Sequence, residues 1–561
     1  MIKCLSGVIR AGGEAGRNRA EQQSGTPERQ GNILKILKSN KAQYEYDIHA
    51  LVKAFYPAWE LKVLTPESVV KDRRIREIIP VMELEFCSRE VKFTVHSGLH
   101  NTENISDDIK GSSGRGSVAA QKEAEIDSGA DGSMTENDTA DDFHTYTWCN
   151  TDQVDASEYK DAFKRFLYTA LQEETGISLP WGNLTGIRPT KIAMTMLENG
   201  GSEQDVAAFL REKHFVSEEK IELGIDIAKR EREILGRLHY EEGYSLYIGI
   251  PFCPTTCLYC SFTSYPISLW KERVAEYLTA LEQELEAVAK IQRGKILDTV
   301  YIGGGTPSSL SAEELDRLIT KLKSTFDFRT VQEFTVEAGR ADSITEDKLR
   351  VLYRHGVTRI SVNPQTMKDE TLRLIGRQHT VAQVVSAFRI ARKVGFDNIN
   401  MDIILGLPEE TKEDVEATIE AIAALAPDSL TVHSLAVKRA SGLHKWIEEN
   451  GVTAYNNTEE TMRIAASGAR AMGMEPYYLY RQKNMSGNFE NVGYSVKDKY
   501  GIYNILIMEE VQTIVACGAG SISKRVYPDG RIERCENVKD VASFIDRIDV
   551  MIERKRKLLE D

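Results

Sequence analysis

The chain is poor in cysteine and in long apolar runs. Eight cysteines occur among 561 residues, and five of them stand singly, which is not the framework of a disulfide-rich secreted protein. No apolar run reaches the roughly 18 residues of a membrane-spanning helix. The apolar stretch at the N-terminus is too short for a signal peptide. We therefore predict a cytoplasmic protein without a membrane span.

Positive charge is also scarce. The chain has 71 Lys and Arg against 85 Asp and Glu, a net charge of −14, which argues against non-specific binding of nucleic acid. Residues 98–142 carry eleven acidic and three basic residues with almost no aromatics. Such a segment cannot bury enough surface to offset the entropy of ordering it. We predict that residues 98–142 form a disordered acidic insertion.

The length of the chain predicts two to four domains. We expect residues 1–97 to contain a flexible segment, with a helical turn at Asn32–Lys38, followed by a small α/β unit. In that unit, apolar patterning predicts a helix at Ile48–Phe55 and strands at Ile79–Phe86 and Glu90–Val95.

Residues 143–240 are predicted to be a helical segment. Apolar positions at helical spacing indicate helices at Tyr159–Thr175 and Lys220–Leu238. The Gly- and Pro-rich stretch between them contains Arg188 and Lys191. These two side chains either contact an anionic ligand or belong to a structural turn.

From residue 241 to 440 short apolar runs alternate with helical patterns. The predicted strands are Ser245–Ile250, Thr299–Ile302, Glu333–Glu337, Arg359–Val362, Asn398–Leu405 and Ser429–Val432. The predicted helices are 272–292, 312–325, 344–355, 381–395 and 411–425. This alternation predicts a parallel sheet with right-handed crossovers, as a partial (β/α)6 barrel or a doubly wound sheet. In both folds, ligands bind at the C-terminal strand ends.

Three cysteines lie just beyond the first of these strands. Cys253, Cys257 and Cys260 have the spacing C-x3-C-x2-C, which suits an iron–sulfur cubane that keeps one iron free of protein ligands. One alternative is a zinc site, for which His433 or Cys517 could supply the fourth ligand. The other is three unrelated thiols.

The following strands also end in polar or glycine-rich motifs. Gly303-Gly-Gly-Thr-Pro-Ser308 exposes backbone N–H groups that can cradle a cofactor. Glu337, Gln365 and Asp402 follow later strands and are candidates for contacts to the same ligand. Arg377 could add a positive charge there or form a salt bridge.

The C-terminal region, 441–561, is predicted to be an α+β extension that covers the substrate. Its aromatic and basic segments, 477–484 and 487–494, either line a pocket for a large planar acidic ligand or form a polar surface strand pair. Cys517-Gly-Ala-Gly520 is a close-packed turn that could also touch a ligand.

These motifs resemble those of the radical S-adenosylmethionine (SAM) superfamily, in which an aromatic residue precedes the last cysteine, here Tyr259. The order Tyr247-Ile-Gly-Ile-Pro-Phe-Cys, Gly-Gly-Gly-Thr-Pro-Ser and Asn-x-Asp-x-Ile-x-Gly-Leu-Pro is similar to the oxygen-independent coproporphyrinogen III oxidase family. The N-terminal unit and the segments 184–191 and 480–484 resemble its HemZ branch, coproporphyrinogen dehydrogenase. The sequence departs from the best-known members at Gly249, at Ala338-Gly339-Arg340 and at Asn363-Pro364.

The resemblance implies a partial (β/α)6 radical SAM barrel and a defined chemistry. Cys253, Cys257 and Cys260 would hold a [4Fe–4S] cluster whose free iron binds SAM. One electron would cleave SAM to a 5′-deoxyadenosyl radical, which would take a hydrogen atom from a propionate β-carbon. Loss of CO2 and one electron would leave a vinyl group. Two rounds would convert coproporphyrinogen III to protoporphyrinogen IX in haem biosynthesis.

The resemblance also implies which residues hold SAM. Tyr247 and Tyr259 would flank the cluster and SAM, and Tyr247 is also assigned to the catalytic set. The remaining residues that match SAM-contacting positions of the family are Gly304, Gly305, Thr306, Glu337, Gln365, Arg377, Asp402 and Ala436.

The resemblance leaves competing functions open. The first is the decarboxylating oxidase, a monomer that takes a porphyrinogen substrate and electrons from a flavodoxin or ferredoxin, with no nucleic-acid partner. The second is a haem chaperone like the HemW branch. The third is a radical SAM enzyme that acts on another substrate, for example by methyl transfer. A zinc-stabilised binding protein is the fourth.

Overall fold

The computed structural model of the chain describes most of its residues. The described ranges are 34–57, 59–68, 80–96, 134–136, 143–149, 155–186, 188–260, 264–436, 442–443, 446, 457–482 and 489–560.

The N-terminal unit is a mixed sheet packed against two helices, α1 (Glu45–Phe55) and α2 (Ala156–Thr175). The strands are β1 (Leu34–Ser39), β2 (Glu60–Leu64), β3 (Met82–Phe86), β4 (Glu90–His96), β5 (Met134–Glu136) and β6 (Phe143–Cys149), in the order β2-β1-β3-β4-β6-β5. In β4, the buried Val91, Phe93 and Val95 alternate with partly exposed residues, which is the period of a half-buried strand. The predicted α/β unit is confirmed.

Two local predictions in this region are wrong. Asn32–Lys38 was expected to include a helical turn, but Leu34–Ser39 form β1, because this segment lies between β2 and β3 and pairs with both. The segment 143–240 was predicted to be a helical segment, but its first residues, Phe143–Cys149, form strand β6 along β4.

The predicted disordered insertion, 98–142, lies outside the described residues apart from Met134–Glu136. These three residues form β5, which pairs antiparallel with β6, so the prediction of disorder is wrong for them.

A helical segment connects the first unit to the large sheet. After α2 it comprises α3 (Thr190–Glu198), α4 (Glu203–His214) and α5 (Glu218–Leu235). Asp155 caps α2 by accepting from the N–H groups of Ser157 and Glu158, and Ser202 and Asp205 form a capping box at the start of α4. Side-chain caps of this kind satisfy N–H groups that a helix leaves free.

Six parallel strands form the centre of the molecule. They are β7 (Gly243–Ile250), β10 (Ile296–Gly304), β11 (Glu333–Gly339), β12 (Arg359–Val362), β13 (Ile399–Leu405) and β14 (Ser429–Ser434). The short β8 (Phe252–Cys253) and β9 (Tyr265–Pro266) form a separate pair. The six strands are neighbours in chain order, without the reversal that a doubly wound sheet requires. The predicted partial (β/α)6 barrel is confirmed.

The barrel helices lie between successive strands. They are α6 (Val274–Ile291), α7 (Ala312–Thr325), α8 (Glu346–Arg354), α9 (Asp369–Leu374), α10 (Val381–Val394) and α11 (Lys412–Leu425). Ser311, Thr380 and Thr411 begin capping boxes at α7, α10 and α11. Their caps and amphipathic spacing explain why sequence patterning located these helices within a few residues.

The C-terminal region extends the sheet at both edges. After α12 (Glu459–Ala471) come β15 (Glu475–Tyr480) and β16 (Asn491–Ser495). β16 pairs antiparallel with β14, and β15 pairs antiparallel with β16 at the edge of the sheet. After α13 (Ile502–Glu509), β17 (Thr513–Cys517) pairs parallel with β7, and β18 (Ile522–Val526) and β19 (Ile532–Glu536) follow it. Helices α14 (Val541–Asp546) and α15 (Ile548–Glu560) end the described chain. The predicted α+β extension is confirmed.

Within the part of the chain that the structure describes, no helix combines the length and the apolar character needed to cross a membrane.

Candidate active site

The loop that carries the three cysteines follows β7. Backbone hydrogen bonds hold it on both sides: Leu258 N–H donates to Ile375 O at 2.9 Å, and Leu443 N–H donates to Leu258 O at 2.7 Å. Cys253 is buried, and Cys257 and Cys260 are half-buried. The loop is therefore fixed while two of its thiols face a partly open space.

The three thiols lie near enough to influence each other electrostatically. Burial raises the pKa of Cys253 to about 11, Thr306 and Arg340 lower it, and Cys257 and Cys260 raise it further. Thr306 Oγ1 is 3.4 Å from Cys253 Sγ. A positively charged metal centre would stabilise the thiolate form that burial disfavours here.

No group of three or more His, Cys, Asp or Glu side chains among the described residues has the compact geometry of a single-ion site. A cubane distributes its cysteine ligands over different irons, so its thiols need not converge on one point. The geometry of the loop is thus compatible with a cluster.

The glycine turn after β10 packs directly on the cysteine loop. Gly305 N–H donates to Ile250 O and Thr306 N–H donates to Phe252 O, both at 2.7 Å. A Cβ atom on Gly305 would lie 2.6 Å from Phe252 O and 3.0 Å from Cys253 Sγ. Gly304 has a φ of +109°, which residues with a side chain rarely adopt. Only glycine fits this close approach.

Glu337 lies beside the glycine turn inside the barrel. It accepts a hydrogen bond from Tyr301 Oη at 2.6 Å. Burial raises the pKa of Glu337 to about 7, against the lowering effect of the Tyr301 hydrogen bond, and the nearby Asp402 carboxylate raises it too. The ionised form of the Glu337 carboxylate is therefore poorly solvated, and a bound hydrogen-bond donor or cation would stabilise it.

Three tyrosines stack next to Glu337. The ring centroids of Tyr301 and Tyr503 are 4.5 Å apart, and Tyr247 lies 6.1 Å from Tyr301. Sequence reasoning found Tyr247 but missed Tyr301 and Tyr503. Side chains alternate along β10, so Tyr301 lies on the same face as Gly303, and this pattern could have indicated Tyr301. Tyr503 belongs to α13, and no motif near it in the sequence indicates a ligand contact.

Gln365, three residues after the end of β12, lies next to Asp402 of β13. Gln365 N–H donates to Asp402 O at 2.9 Å, and Asn400 Nδ2 donates to Asp402 Oδ1 at 2.6 Å. Gln365 is buried with a φ of +70°, and within the described ranges its Oε1 has no hydrogen-bond partner. A buried acceptor without a partner is costly, so a donor on a bound ligand would stabilise the site.

Arg377 is buried beside the cysteine loop. Its Nη1 donates to Asn363 O at 2.5 Å, and its Nη2 donates to Tyr259 Oη at 2.9 Å. Both hydrogen bonds go to neutral groups rather than to a carboxylate. Ala436 lies two residues beyond β14 and is half-buried.

Comparisons with known proteins agree with this geometry. Residues 247–422 match the model of the Radical SAM superfamily. The chain is 41% identical over 413 residues to the "Oxygen-independent coproporphyrinogen-III oxidase-like protein HemZ" of Bacillus subtilis, a match that covers 72% of this chain and 82% of HemZ. The chain belongs to the HemZ family of radical SAM proteins.

Other relatives of this radical SAM chain carry different names. The haem chaperone HemW of Bacillus subtilis is 35% identical over 311 residues, 54% of this chain and 76% of HemW. The solved structure of coproporphyrinogen III oxidase HemN from Escherichia coli covers 57% of this chain and 72% of its own, with 22% identity and a TM-score of 0.46.

Membership of the radical SAM superfamily implies a [4Fe–4S] cluster and SAM as cofactors. The residues present fit both. Cys253, Cys257 and Cys260 supply three thiol donors, the glycine turn leaves room that a Cβ would fill, and Gln365 Oε1 offers a buried acceptor.

Two other predicted features are structural. Arg188 donates to the carbonyls of Met508 and Glu509 at 3.0 and 2.7 Å and pairs with Glu510, so it joins the helical segment to α13. Arg481 is buried and donates to Leu184 O at 2.6 Å. Residues 483–488, where the two aromatic segments 477–484 and 487–494 adjoin, lie outside the described residues.

Proposed function

We propose that this chain is a radical SAM oxidoreductase that decarboxylates the propionate side chains of coproporphyrinogen III to vinyl groups without oxygen. The observation that carries the proposal is the 41% identity to HemZ over 82% of that protein, whose name describes it as oxygen-independent coproporphyrinogen-III oxidase-like. The cysteine loop and the polar barrel interior support it, because they provide what a radical SAM reaction needs.

In this proposal, Cys253, Cys257 and Cys260 hold the cluster. The turn of Gly304, Gly305 and Thr306 leaves backbone surface without side chains that SAM can approach closely. The other residues around SAM are Glu337, Gln365, Asp402, Arg377, Tyr247, Tyr259 and Ala436. The bound cofactors supply hydrogen-atom abstraction. The protein positions the reactants and excludes water.

Several residues would perform that positioning. Glu337 would accept a hydrogen bond from the amino group or a ribose hydroxyl of SAM, and Gln365 Oε1 would accept a second hydrogen bond. The stacked rings of Tyr247, Tyr301 and Tyr503 close one side of the interior with apolar surface. Because Tyr503 comes from α13, we propose that residues 441–561 help to cover the substrate.

The raised pKa of Glu337 predicts a pH dependence of SAM binding. The ionised carboxylate, which is the stronger hydrogen-bond acceptor, prevails above about pH 7 and is lost as the pH falls. We expect SAM affinity to drop about tenfold from its plateau at pH 6, one unit below this pKa. The SAM dissociation constant, measured anaerobically at equilibrium over about three pH units centred on that pKa, from about pH 5.5 to about 8.5, tests this prediction.

The Glu337→Gln variant is the control for this titration. It should bind SAM more weakly at high pH and lose the pH dependence that belongs to the carboxyl group. Any pH dependence of SAM itself persists in the variant, so the difference between the two proteins reports Glu337. Identical pH profiles for the two proteins would remove Glu337 from the SAM site.

An assay with coproporphyrinogen III tests the proposed reaction. The anaerobically reconstituted protein should contain about four irons and, with SAM and a low-potential electron donor such as flavodoxin or ferredoxin, yield protoporphyrinogen IX and CO2. The monovinyl product should accumulate first, because the two propionates react in separate rounds. SAM cleavage without consumption of the porphyrinogen would point to another substrate.

A haem chaperone is the second candidate. The 35% identity to HemW over 76% of that protein favours it. Stoichiometric haem binding by the reconstituted protein, with no decarboxylation in the same assay, would support the chaperone and contradict the oxidase.

A further inference from the structure

Arg340 is a buried cation to which the proposed function assigns no role. It directly follows β11 and its side chain is 4% exposed. Its Nη1 lies 3.7 Å from Cys257 Sγ and donates to both the carbonyl and the hydroxyl oxygen of Thr255 at 2.8 Å. A guanidinium group thus sits against the middle thiol of the cysteine loop.

The guanidinium is held in one orientation. Nε and Nη2 donate to the two carboxylate oxygens of Asp342 at 3.0 and 2.7 Å. Burial raises the pKa of Asp342, but His379 and the Arg340 guanidinium outweigh it and hold that pKa well below the usual range. Bidentate pairing of this kind fixes the plane of an arginine.

The orientation of the Arg340–Asp342 ion pair determines which charge lies next to the Cys257 thiol. Asp342 binds the Nε and Nη2 edge, whereas Nη1 points toward Cys257 and Thr255. The pair is therefore a dipole with its positive end at the sulfur. Arg377, which donates to neutral groups, adds a second positive charge near Cys257.

Thr255 links the same arginine to the cysteine loop. Its hydroxyl group donates to Gly376 O at 3.3 Å while accepting from Arg340. Arg340 consequently supports the loop between Cys253 and Cys257 as well as contacting the second thiol. The Arg340 guanidinium therefore both orients the cysteine loop and places a positive charge beside it.

We propose that Arg340 is a positioning residue that raises the reduction potential of the cluster by donating a charge-assisted hydrogen bond to the Cys257 thiolate. Reduction adds a negative charge to the cluster, and hydrogen bonds to its sulfurs and nearby positive charge stabilise that charge. The inference rests on the assignment of Cys257 as a cluster ligand in the proposed function. It does not depend on the porphyrinogen substrate.

A redox titration tests the proposal directly. The wild-type protein and the Arg340→Gln variant are reconstituted anaerobically and titrated with dithionite, while electron paramagnetic resonance follows the reduced cluster. Glutamine keeps an N–H donor but removes the charge. We expect the equilibrium constant for reduction to fall about tenfold, or about 59 mV for a one-electron couple.

Two further variants separate charge from structure. Arg340→Lys keeps the charge without the planar fork, and we expect it to hold the cluster with a reduction equilibrium constant within about threefold of wild type. Arg350→Gln removes an exposed arginine that pairs with Glu346 on α8, and should leave the potential unchanged.

Two outcomes would overturn the inference. One is an Arg340→Gln protein with a full cluster and a reduction equilibrium constant within a factor of two of wild type. The other is an Arg340→Lys protein that loses its cluster as completely as Arg340→Gln, since that would show a purely structural role. The titration uses neither SAM nor porphyrinogen, so a negative decarboxylation assay leaves its result intact.

Discussion

Replacing Cys257 with alanine is expected to abolish reductive SAM cleavage and to leave the apo fold largely intact. Cys257 is half-buried in the loop after β7, and the backbone hydrogen bonds of Leu258 hold that loop without the thiol. A cluster that loses one of three cysteine ligands is not retained in an active form. The free energy of unfolding of the apo protein should change by less than about 1 kcal/mol.

The measurements are iron content, SAM cleavage under reduction and denaturant unfolding of the apo protein. Cys87→Ala is the matched control, because Cys87 is exposed and follows β3 in the N-terminal unit. It should retain full iron content and full SAM cleavage. If the Cys257→Ala protein still cleaves SAM at the wild-type rate, Cys257 is not a cluster ligand.

Much of the barrel could be predicted from sequence because its signals are local. Buried parallel strands such as Gly243–Ile250 are short, mostly apolar runs, and the helices between the strands have capping residues and an amphipathic period. The pairing of Thr513–Cys517 with β7 could not be predicted in this way, since it joins segments more than 250 residues apart. Register between distant strands has no signature in either segment alone.

In the candidate site too, residues with a local sequence signal could be predicted, and contacts between distant segments could not. Cys253, Gly305 and Glu337 belong to motifs whose spacing or position after a strand indicates a ligand. Tyr503 joins the site only because α13 folds against the barrel. The contact of Arg340 with Cys257 likewise depends on the folded positions of two strand ends. The sequence therefore predicts the cofactor-binding motifs better than the residues that orient and tune them.

A buried ion pair joins the C-terminal helix α15 to the barrel. Lys555 Nζ donates to Glu284 Oε1 on α6 at 2.5 Å and to Asn537 Oδ1 at 2.6 Å. Glu284 Oε2 accepts from Gly518 N–H at 2.7 Å, directly after β17. Lys555 and Glu284 are fully buried, so each charge depends on its partner.

Replacing Lys555 with methionine is expected to lower the free energy of unfolding by about 3–5 kcal/mol, because Glu284 would keep a buried charge without a cation. Urea denaturation of the apo protein measures this loss. Lys557→Met, an exposed lysine on the same helix, should change stability by less than about 0.5 kcal/mol. The double variant Glu284→Leu/Lys555→Met should recover part of the loss, because it removes both charges together. Equal stability of the Lys555→Met and Lys557→Met proteins would contradict the role of this ion pair in attaching α15 to the edge of the barrel.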